Sequence, residues 1–537
     1  MLRTSSYVVL FALVTIGQTP ALATAADAIV APAQVPSGST FDVTAYGAVG
    51  DGVADDTPAI QRAIHAAAKI AGGGTVYFPA RTYLLNSHYP SHHPWMFYNL
   101  IIGSNVTLSG QAGAKLLQGP NGRHPLPARA TEVRNTVLAF GLDYTTNRFQ
   151  TASCNGGFYA LSATQAGATT VTLAKMRDAS HFAKDDYVAI YAWTSGDVIP
   201  TETTQVASVN ASTGVLDLKS PLARSFSTPC IANVTSLVTT NVAVKNLIVQ
   251  GTEPLAVEET FGFTAENNQF LIDRSVGGGN DTGLCLNTLN GFRFTGNIIT
   301  CVGPSFSILE LPQRNSQNGC LDGNTFEVRQ MGMGEYAAHW KFTHNHFTLH
   351  PDKKTPVGLA IGGFDIDFSD NQVQGGNLTN GGGFGSLIAD YLGPDSYARY
   401  VGKIRIVNNT VSCRADGNAC LGLFAQDTVV TGNTLTVKGS AVGIHAEGPL
   451  AQSLTIQNNT LSMDSGNGMV IATPARDGST ITGNALSGSA GRVGIFVASP
   501  RSPNRGADII SNNAIRGFST HVSIDLTRHP GSTVSSN

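Results

Sequence analysis

The sequence predicts an all-β solenoid, a parallel β-helix, and three observations carry that prediction. A phrase recurs from about residue 263 to 515: alternating apolar residues, a polar pair ending in Asn, then a short apolar pair. It reads Phe292-Arg-Phe-Thr-Gly-Asn-Ile-Ile, Trp340-Lys-Phe-Thr-His-Asn-His-Phe, Ile404-Arg-Ile-Val-Asn-Asn-Thr-Val and Leu454-Thr-Ile-Gln-Asn-Asn-Thr-Leu. The asparagines fall at Asn268, Asn297, Asn324, Asn345, Asn371, Asn409, Asn433, Asn459, Asn484 and Asn513, separated by 29, 27, 21, 26, 38, 24, 26, 25 and 29 residues. A period in the twenties is that of stacked coils. Alternation at period two sends one row of side chains inward and the next outward. The repeated Asn marks a corner, where it tolerates left-handed backbone, and stacked amides form a hydrogen-bonded ladder. An ordinary sandwich does not repeat a corner residue so regularly.

Length fits that architecture, because solenoids grow along one axis and 537 residues need not split into separate cores. Net charge is −3 and 13% of residues are charged, so electrostatics favours neither nucleic acid nor an anionic membrane. Arg3, the apolar run from Tyr7 to Ile16 and the small-residue sites Ala21-Leu-Ala and Ala23-Thr-Ala predict an export signal over residues 1–25. A flexible linker over 26–40 follows. Ten apolar residues do not span a bilayer, so the expected location is secreted or periplasmic. Seven cysteines in an exported chain imply disulfides and a leftover thiol. Cys413 and Cys420 flank a short polar loop suited to a local bridge. Cys154 and Cys230 bracket an inserted segment, and Cys285, Cys301 and Cys320 fall about one coil apart, as core fillers would. No Cys/His spacing resembles a zinc site, and neither metal nor cofactor is expected.

Residues 41–127 form the expected cap and first coils. Asp55 and Asp56 precede Thr57-Pro58, a good helix start. Ile60, Ile64, Ala67 and Ala68 then make an apolar face able to plug the open end of the solenoid. In order, Phe41-Asp-Val, Tyr46-Gly-Ala, Gly50-Asp-Gly, Asp55-Asp-Thr and Gly73-Gly-Thr-Val-Tyr-Phe-Pro resemble the N-terminal signature of the pectate-lyase-like superfamily. That group holds rhamnogalacturonases, polygalacturonases, epimerase-like proteins and phage depolymerases. The resemblance implies a right-handed parallel β-helix acting on a polysaccharide. The first coils also carry His88, His92, His93 and Trp95 in a Pro-interrupted loop that fits either a sugar cleft or solvent. From about residue 128 to 236 the Asn phrase disappears. Thr169-Thr-Val-Thr-Leu, Asp186-Tyr-Val-Ala-Ile-Tyr-Ala-Trp and Gly214-Val-Leu-Asp-Leu predict a small antiparallel β-subdomain inserted there. Asn241-Val-Ala-Val-Lys-Asn-Leu-Ile-Val restarts the coils, which run over 237–537.

Inward residues of a solenoid are structural, so chemistry belongs on an outward face or in long loops. On the strands preceding each Asn phrase, Glu310, Glu335 and Asp390 are the expected catalytic acids. Coils stack about 4.8 Å apart, so Glu310 and Glu335 would approach to about 5 Å, close enough to hold one carboxyl protonated. Asp390 would lie two coils from Glu335, about 10 Å away across Gly362 and Gly363, near the spacing of an inverting hydrolase. His339 offers an acid or base near neutrality. Asn287, Gln426, His445 and Glu447 recur at equivalent places and are expected substrate contacts. Tyr391 and Arg399 sit in the longest coil, and with Lys341 the arginines Arg314 and Arg399 would neutralise a uronate carboxylate in a lyase or epimerase. Each carboxylate taken alone also fits a plain outward polar residue. Trp340 starts an apolar strand and reads as core.

The departures from the resembled families are informative. Asn280-Asp-Thr transposes a polygalacturonase motif, His350-Pro-Asp reverses the mannuronan epimerase motif, and no subfamily's catalytic set transfers. The reading is an exported enzyme that cleaves a polysaccharide, by glycoside hydrolysis with paired carboxylates. A uronate-polymer lyase or epimerase and a non-catalytic glycan-binding surface protein are its alternatives. Polysaccharide is the expected partner, with no nucleic acid and no membrane span; the oligomeric state is left open.

Overall fold

The computed structural model describes residues 38–90, 96–123, 134–140, 159–193, 198–226, 231–237, 239–273, 282–302, 308–311, 316–332, 337–350, 357–380, 402–414, 419–447, 453–472, 478–498 and 506–537. Thirty-seven of the described strands join one hydrogen-bonded system, almost wholly parallel. Each turn of the solenoid has three faces. Face A leads into a ladder asparagine, as in Gln317–Asp322, Ala338–Thr343 and Phe364–Ser369. Face B follows it, as in Thr325–Val328, His346–Leu349 and Gln372–Gln374. Face C closes the turn, as in Ile308–Glu310, Gln330–Gly332 and Val357–Ile361. Strands pair in register with the next coil, Phe342 opposite Phe368 and Phe326 opposite Phe347.

The inward rows form the core. Phe326 and Phe347 stack at 4.9 Å and Phe263 and Phe292 at 5.3 Å, each pair within 7° of parallel. Trp340 is fully buried and its indole N–H donates to the Ser316 carbonyl at 3.0 Å. Gly319 makes room for it, because a Cβ there would lie 2.2 Å from the indole ring.

The asparagines build the expected ladder, with one correction. Asn268 donates both its backbone N–H, at 3.0 Å, and its Nδ2, at 2.9 Å, to Asn297 Oδ1. The same step repeats through Asn324, Asn345, Asn371, Asn409, Asn433, Asn459, Asn484 and Asn513 to Asn537, an eleventh member. These side chains do not occupy left-handed backbone. The preceding residue does: Asn267 at φ 55°, Gly296 at 64°, His344 at 54° and Asp370 at 56°. The buried amide must point inward to reach its neighbours, so the exposed residue before it absorbs the bend. A second left-handed row, unread in the sequence, marks the corner from face C to face A. It includes Asn318, His339, Asp365, Lys403 and Asp427, at φ between 50° and 59°.

The helix Thr57–Ala68 covers the first coil with Ile60, Ala63, Ile64 and Ala67. Its Gln61 amide accepts from the Ile101 N–H and donates to the Ile101 carbonyl, both at 2.9 Å, standing in for a neighbouring strand. A six-stranded antiparallel sheet lies outside the solenoid, in the order 159–160, 231–237, 187–193, 198–210, 215–218, 170–172. It has its own core around Val188, Ile190, Leu216 and Phe226. The strand Arg134–Phe140 differs from the expected boundary at 128: it is a face C strand, paired with Met96–Ile102 and with the strand Glu253–Glu266. Its apolar alternation serves the solenoid core through Leu138 and Phe140. Cys413 and Cys420 form a disulfide across the corner from face B to face C. Cys285 and Cys320 project outward, opposite in register to Ala256 and Arg293, and are not core fillers. Cys154 and Cys230 lie outside the described residues, as do residues 1–37 with the expected signal and most of the linker.

Candidate functional site

Register fixes which residues share the outside of face C. Inward Leu255 and Val257 alternate with outward Ala256 and Glu258. The Ala256 row continues through Cys285, Glu310, Gly332, Ala360, Thr379, Gly422 and His445. Small residues stand at 256, 332, 360 and 422 of that row, and all four are buried. Glu258 lies two residues further along, in register with Asn287.

Only part of the expected site falls on described residues. The partner of Glu310 in the next coil is Gly332, three residues before Glu335. Glu335, Asp390, Arg314, Tyr391 and Arg399 lie outside the described residues, with His92, His93 and Trp95. His445 shares the Glu310 row but stands five rungs away, about 24 Å at the usual strand spacing, so the two cannot serve one bond. It pairs instead with Glu447 on its own strand, Nδ1 to Oε2 3.7 Å. His339 is at the corner between faces C and A, its Nδ1 2.7 Å from Asp365 Oδ2. Gln426 sits at the same corner, its carbonyl accepting from the Lys403 N–H at 3.2 Å.

One strand carries three buried acids that the sequence reading missed. Glu253, Glu258 and Glu259 occupy one strand and are 2%, 5% and 1% exposed. Thr136 donates its hydroxyl to Glu253 Oε2 at 2.6 Å, and Cys285 Sγ lies 3.9 Å from Glu258 Oε1. Glu259 takes φ 45° where the strand bends toward face A. The inserted sheet docks immediately beyond them. Tyr187 stacks on Phe261 at 3.7 Å and 7°, and Gln317 donates its amide to the Thr201 carbonyl. Burying carboxylates is costly without compensating contacts, so this density separates the region from an ordinary outward face. The signal was present in Glu253-Pro-Leu-Ala-Val-Glu-Glu-Thr, two adjacent acids ending an apolar strand.

The junction is poorly solvated. Burial pushes the Tyr159 phenol up to about 12, with the charges of Glu259 and Asp178 adding to it. Burial also raises Glu202, although the Ala223 N–H donates to its Oε2 at 2.8 Å. Carboxyls in such surroundings can hold or move a proton during bond cleavage. Among the described residues no three His, Cys, Asp or Glu side chains group so as to hold a metal ion. No helix among them is long and apolar enough to cross a membrane.

Residues 40–300 match the family described as Rhamnogalacturonase A/epimerase, pectate lyase-like. That match, over just under half of the chain, and the coiled architecture both fit a pectate-lyase-like parallel β-helix. Among its relatives, plasmin and fibronectin-binding protein A of Streptococcus pneumoniae (strain ATCC BAA-255 / R6) is 60% identical over 47 residues, 9% of this chain and 6% of that protein. Mannuronan C5-epimerase AlgE1 of Azotobacter vinelandii is 63% identical over 43 residues, 8% of this chain and 3% of that protein. The chain therefore spans under a tenth of the length of these relatives. The solved A-module of Azotobacter vinelandii mannuronan C-5 epimerase AlgE6 aligns over 93% of this chain and 99% of that one, with 15% identity and a TM-score of 0.42.

Proposed function

We propose that the chain is an exported protein that binds a polysaccharide along the outside of face C, beside the inserted sheet, and cleaves it by hydrolysis. The supporting observation is the placement by register of Glu258 and Glu310 on face C within two coils, beside a row of small residues. Glu310, Glu335 and Asp390 remain the proposed acid and base residues, and Glu258 joins them. Asn287, Arg314, Tyr391, Arg399, Gln426, His445 and Glu447 remain proposed sugar contacts. Hydrolysis is favoured over uronate lysis because face C carries Glu258 and Glu310 within two coils, while the cations Arg293 and Lys341 lie on face A. A general acid and a general base flanking the glycosidic bond are what hydrolysis requires.

The matched stretch of AlgE1 favours a second reading, epimerase or lyase action on a uronate polymer. That of the plasmin and fibronectin-binding protein favours a third, binding without catalysis. Incubation of the secreted protein with a panel of neutral and acidic polysaccharides separates them. New reducing ends without the ultraviolet absorbance of an unsaturated uronate establish hydrolysis. Reducing ends with that absorbance replace hydrolysis by lysis, and a changed uronate composition without cleavage replaces it by epimerisation. Retained glycan with no product leaves only binding.

A further inference from the structure

One coil concentrates histidine. Of the chain's 13 histidines, His339, His344, His346 and His350 fall between residues 337 and 350. Each reaches along the solenoid axis to a neighbouring coil. His339 Nδ1 lies 2.7 Å from Asp365 Oδ2 of the following coil, at the corner from face C to face A. His344 Nδ1 lies 2.8 Å from Asp322 Oδ1 of the preceding coil, at the corner from A to B. His350 Nε2 lies 3.5 Å from Glu327 Oε1 of the preceding coil, where face B ends. His346 meets the neutral amide of Gln372, at 3.1 Å. Three histidine–carboxylate pairs thus stand at the three corners of a single triangular turn.

We propose that this turn is a proton-operated clamp, tied to both neighbouring coils at all three corners when its histidines are charged and loosened when they are neutral. A charge-assisted hydrogen bond is about twice as strong as a neutral one, and histidine is the side chain that changes charge near neutrality. The charges around His344 support that sense. Asp370 of the following coil adds its charge to that of Asp322 at His344. Arg293, two coils back, acts on Asp322 and helps keep it ionised. Lys403 lies one coil beyond Asp365 on the same left-handed row, and Arg329 follows the strand that carries Glu327.

The sign follows from the one resolved pair. The hydrogen bond to Asp322 raises His344 from its ordinary 6.5, so its contribution is complete below that value and fades as pH rises through the raised one. Burial pushes the Asp322 carboxyl up, but hydrogen bonds from His344 and Thr343 more than offset it and leave it below 3.8. Its contribution is complete above 3.8 and fades as pH falls through the lowered value. Between 3.8 and 6.5 that corner is fully tied.

Urea unfolding of the full chain at about pH 5.5 and about pH 8 tests the clamp. The expected midpoint at the lower pH is higher by a few tenths of a molar, roughly the scale of several exposed pairs. The variant His339→Gln/His344→Gln/His350→Gln should lose most of that difference while matching the parent near pH 8. Asp322→Asn/Asp365→Asn/Glu327→Gln, which spares the histidines, should lose it too. If either folded variant keeps the parental pH difference, the clamp is overturned. Imidazole NMR on the parent and on Asp322→Asn supplies a reading independent of global stability. The His344 titration should fall toward lower pH in the variant, and an unmoved titration overturns the pairing.

Discussion

The last coils and the coils beside the inserted sheet share one ladder and differ in everything outside it. From residue 434 onward, faces B and C merge into single bent strands, Thr434–Glu447, Thr460–Ala472, Ala485–Val497 and Ala514–Ile524. One outward row of their face B is small or hydroxylated, Thr434, Thr460, Ala485 and Ala514 following one another in register, and His445 and Glu447 on the first of these strands are the last polar pair proposed for the site. Between residues 253 and 350 the same turns carry buried glutamates, a docked sheet and a ring of histidines. The comparison teaches that the repeat sets only the inside of the coil. Two identical interiors can support a plain outer wall or a chemically loaded one, so a site has to be sought where the exterior departs from the repeat.

The largest expected effect tests that division directly. Glu258→Gln keeps the shape of the buried side chain and removes its charge. On the proposed hydrolase it should lower kcat roughly 10²- to 10⁴-fold, the usual worth of a general acid or base, with the unfolding midpoint nearly unchanged. Asp464→Asn, an exposed change in the plain coils, should leave turnover as it was. Equal activity of the two variants on the cleaved polysaccharide would remove Glu258 from the site.

The ladder should be indifferent to region. Asn297→Ala beside the site and Asn459→Ala in the plain coils each delete an acceptor that takes two N–H groups, and a donor besides. Leaving such buried groups unsatisfied should cost about 2–4 kcal/mol at either place, read from urea unfolding. Asn458→Gly, at the exposed left-handed residue with φ 52°, should change little. A large cost at Asn297 alone would mean that the ladder is carrying the inserted sheet as well as the coil. Next in size is Gly319→Ala, which drives a methyl into the Trp340 ring. Overpacking there should cost roughly 1–3 kcal/mol and shift the tryptophan fluorescence. An added methyl with no cost would show that the indole can yield.

How much was legible follows the same boundary. The period of the asparagines, the alternation around them and the burial of Trp340 come from local patterns that each turn repeats, and the coil has no other way to bury them. The left-handed residue was misplaced by one because Asn is acceptable both as a bend and as a buried amide, and only the packing decides between them. Residues 134–140 were given to the insert because they lack the Asn phrase, yet Leu138 and Phe140 point into the solenoid core. Glu258 escaped because its strand is also where the insert docks, Tyr187 stacking on Phe261 three residues further on, and a periodic reading treats that insert as interruption. Glu310 lies on the strand expected of it and register puts Gly332 opposite it, while Glu335 lies outside the described residues. Charges separated by whole coils in sequence become neighbours only through those unrepeated offsets.

The smallest effect concerns the junction between insert and coil. Tyr159 belongs to the inserted sheet, and burial with the nearby Glu259 charge pushes its phenol from 10.0 up to about 12. A raised folded value means that the neutral phenol is favoured in the folded state. Its contribution is complete below 10.0 and is lost as pH climbs toward about 12. The group is only partly buried, so the loss should be modest and confined to the insert. Amide exchange should therefore quicken across 187–193 and 231–237 in that alkaline interval, before it does in 460–472, where the plain coils carry no tyrosine. Tyr159→Phe should remove the difference without loosening the sheet at neutral pH, because its ring stacking on His181 at 4.7 Å needs no hydroxyl. Simultaneous loosening of both regions would instead mean that insert and solenoid unfold as one unit, so that the docking through Tyr187 and Phe261 couples them more tightly than the separate cores of the two regions suggest.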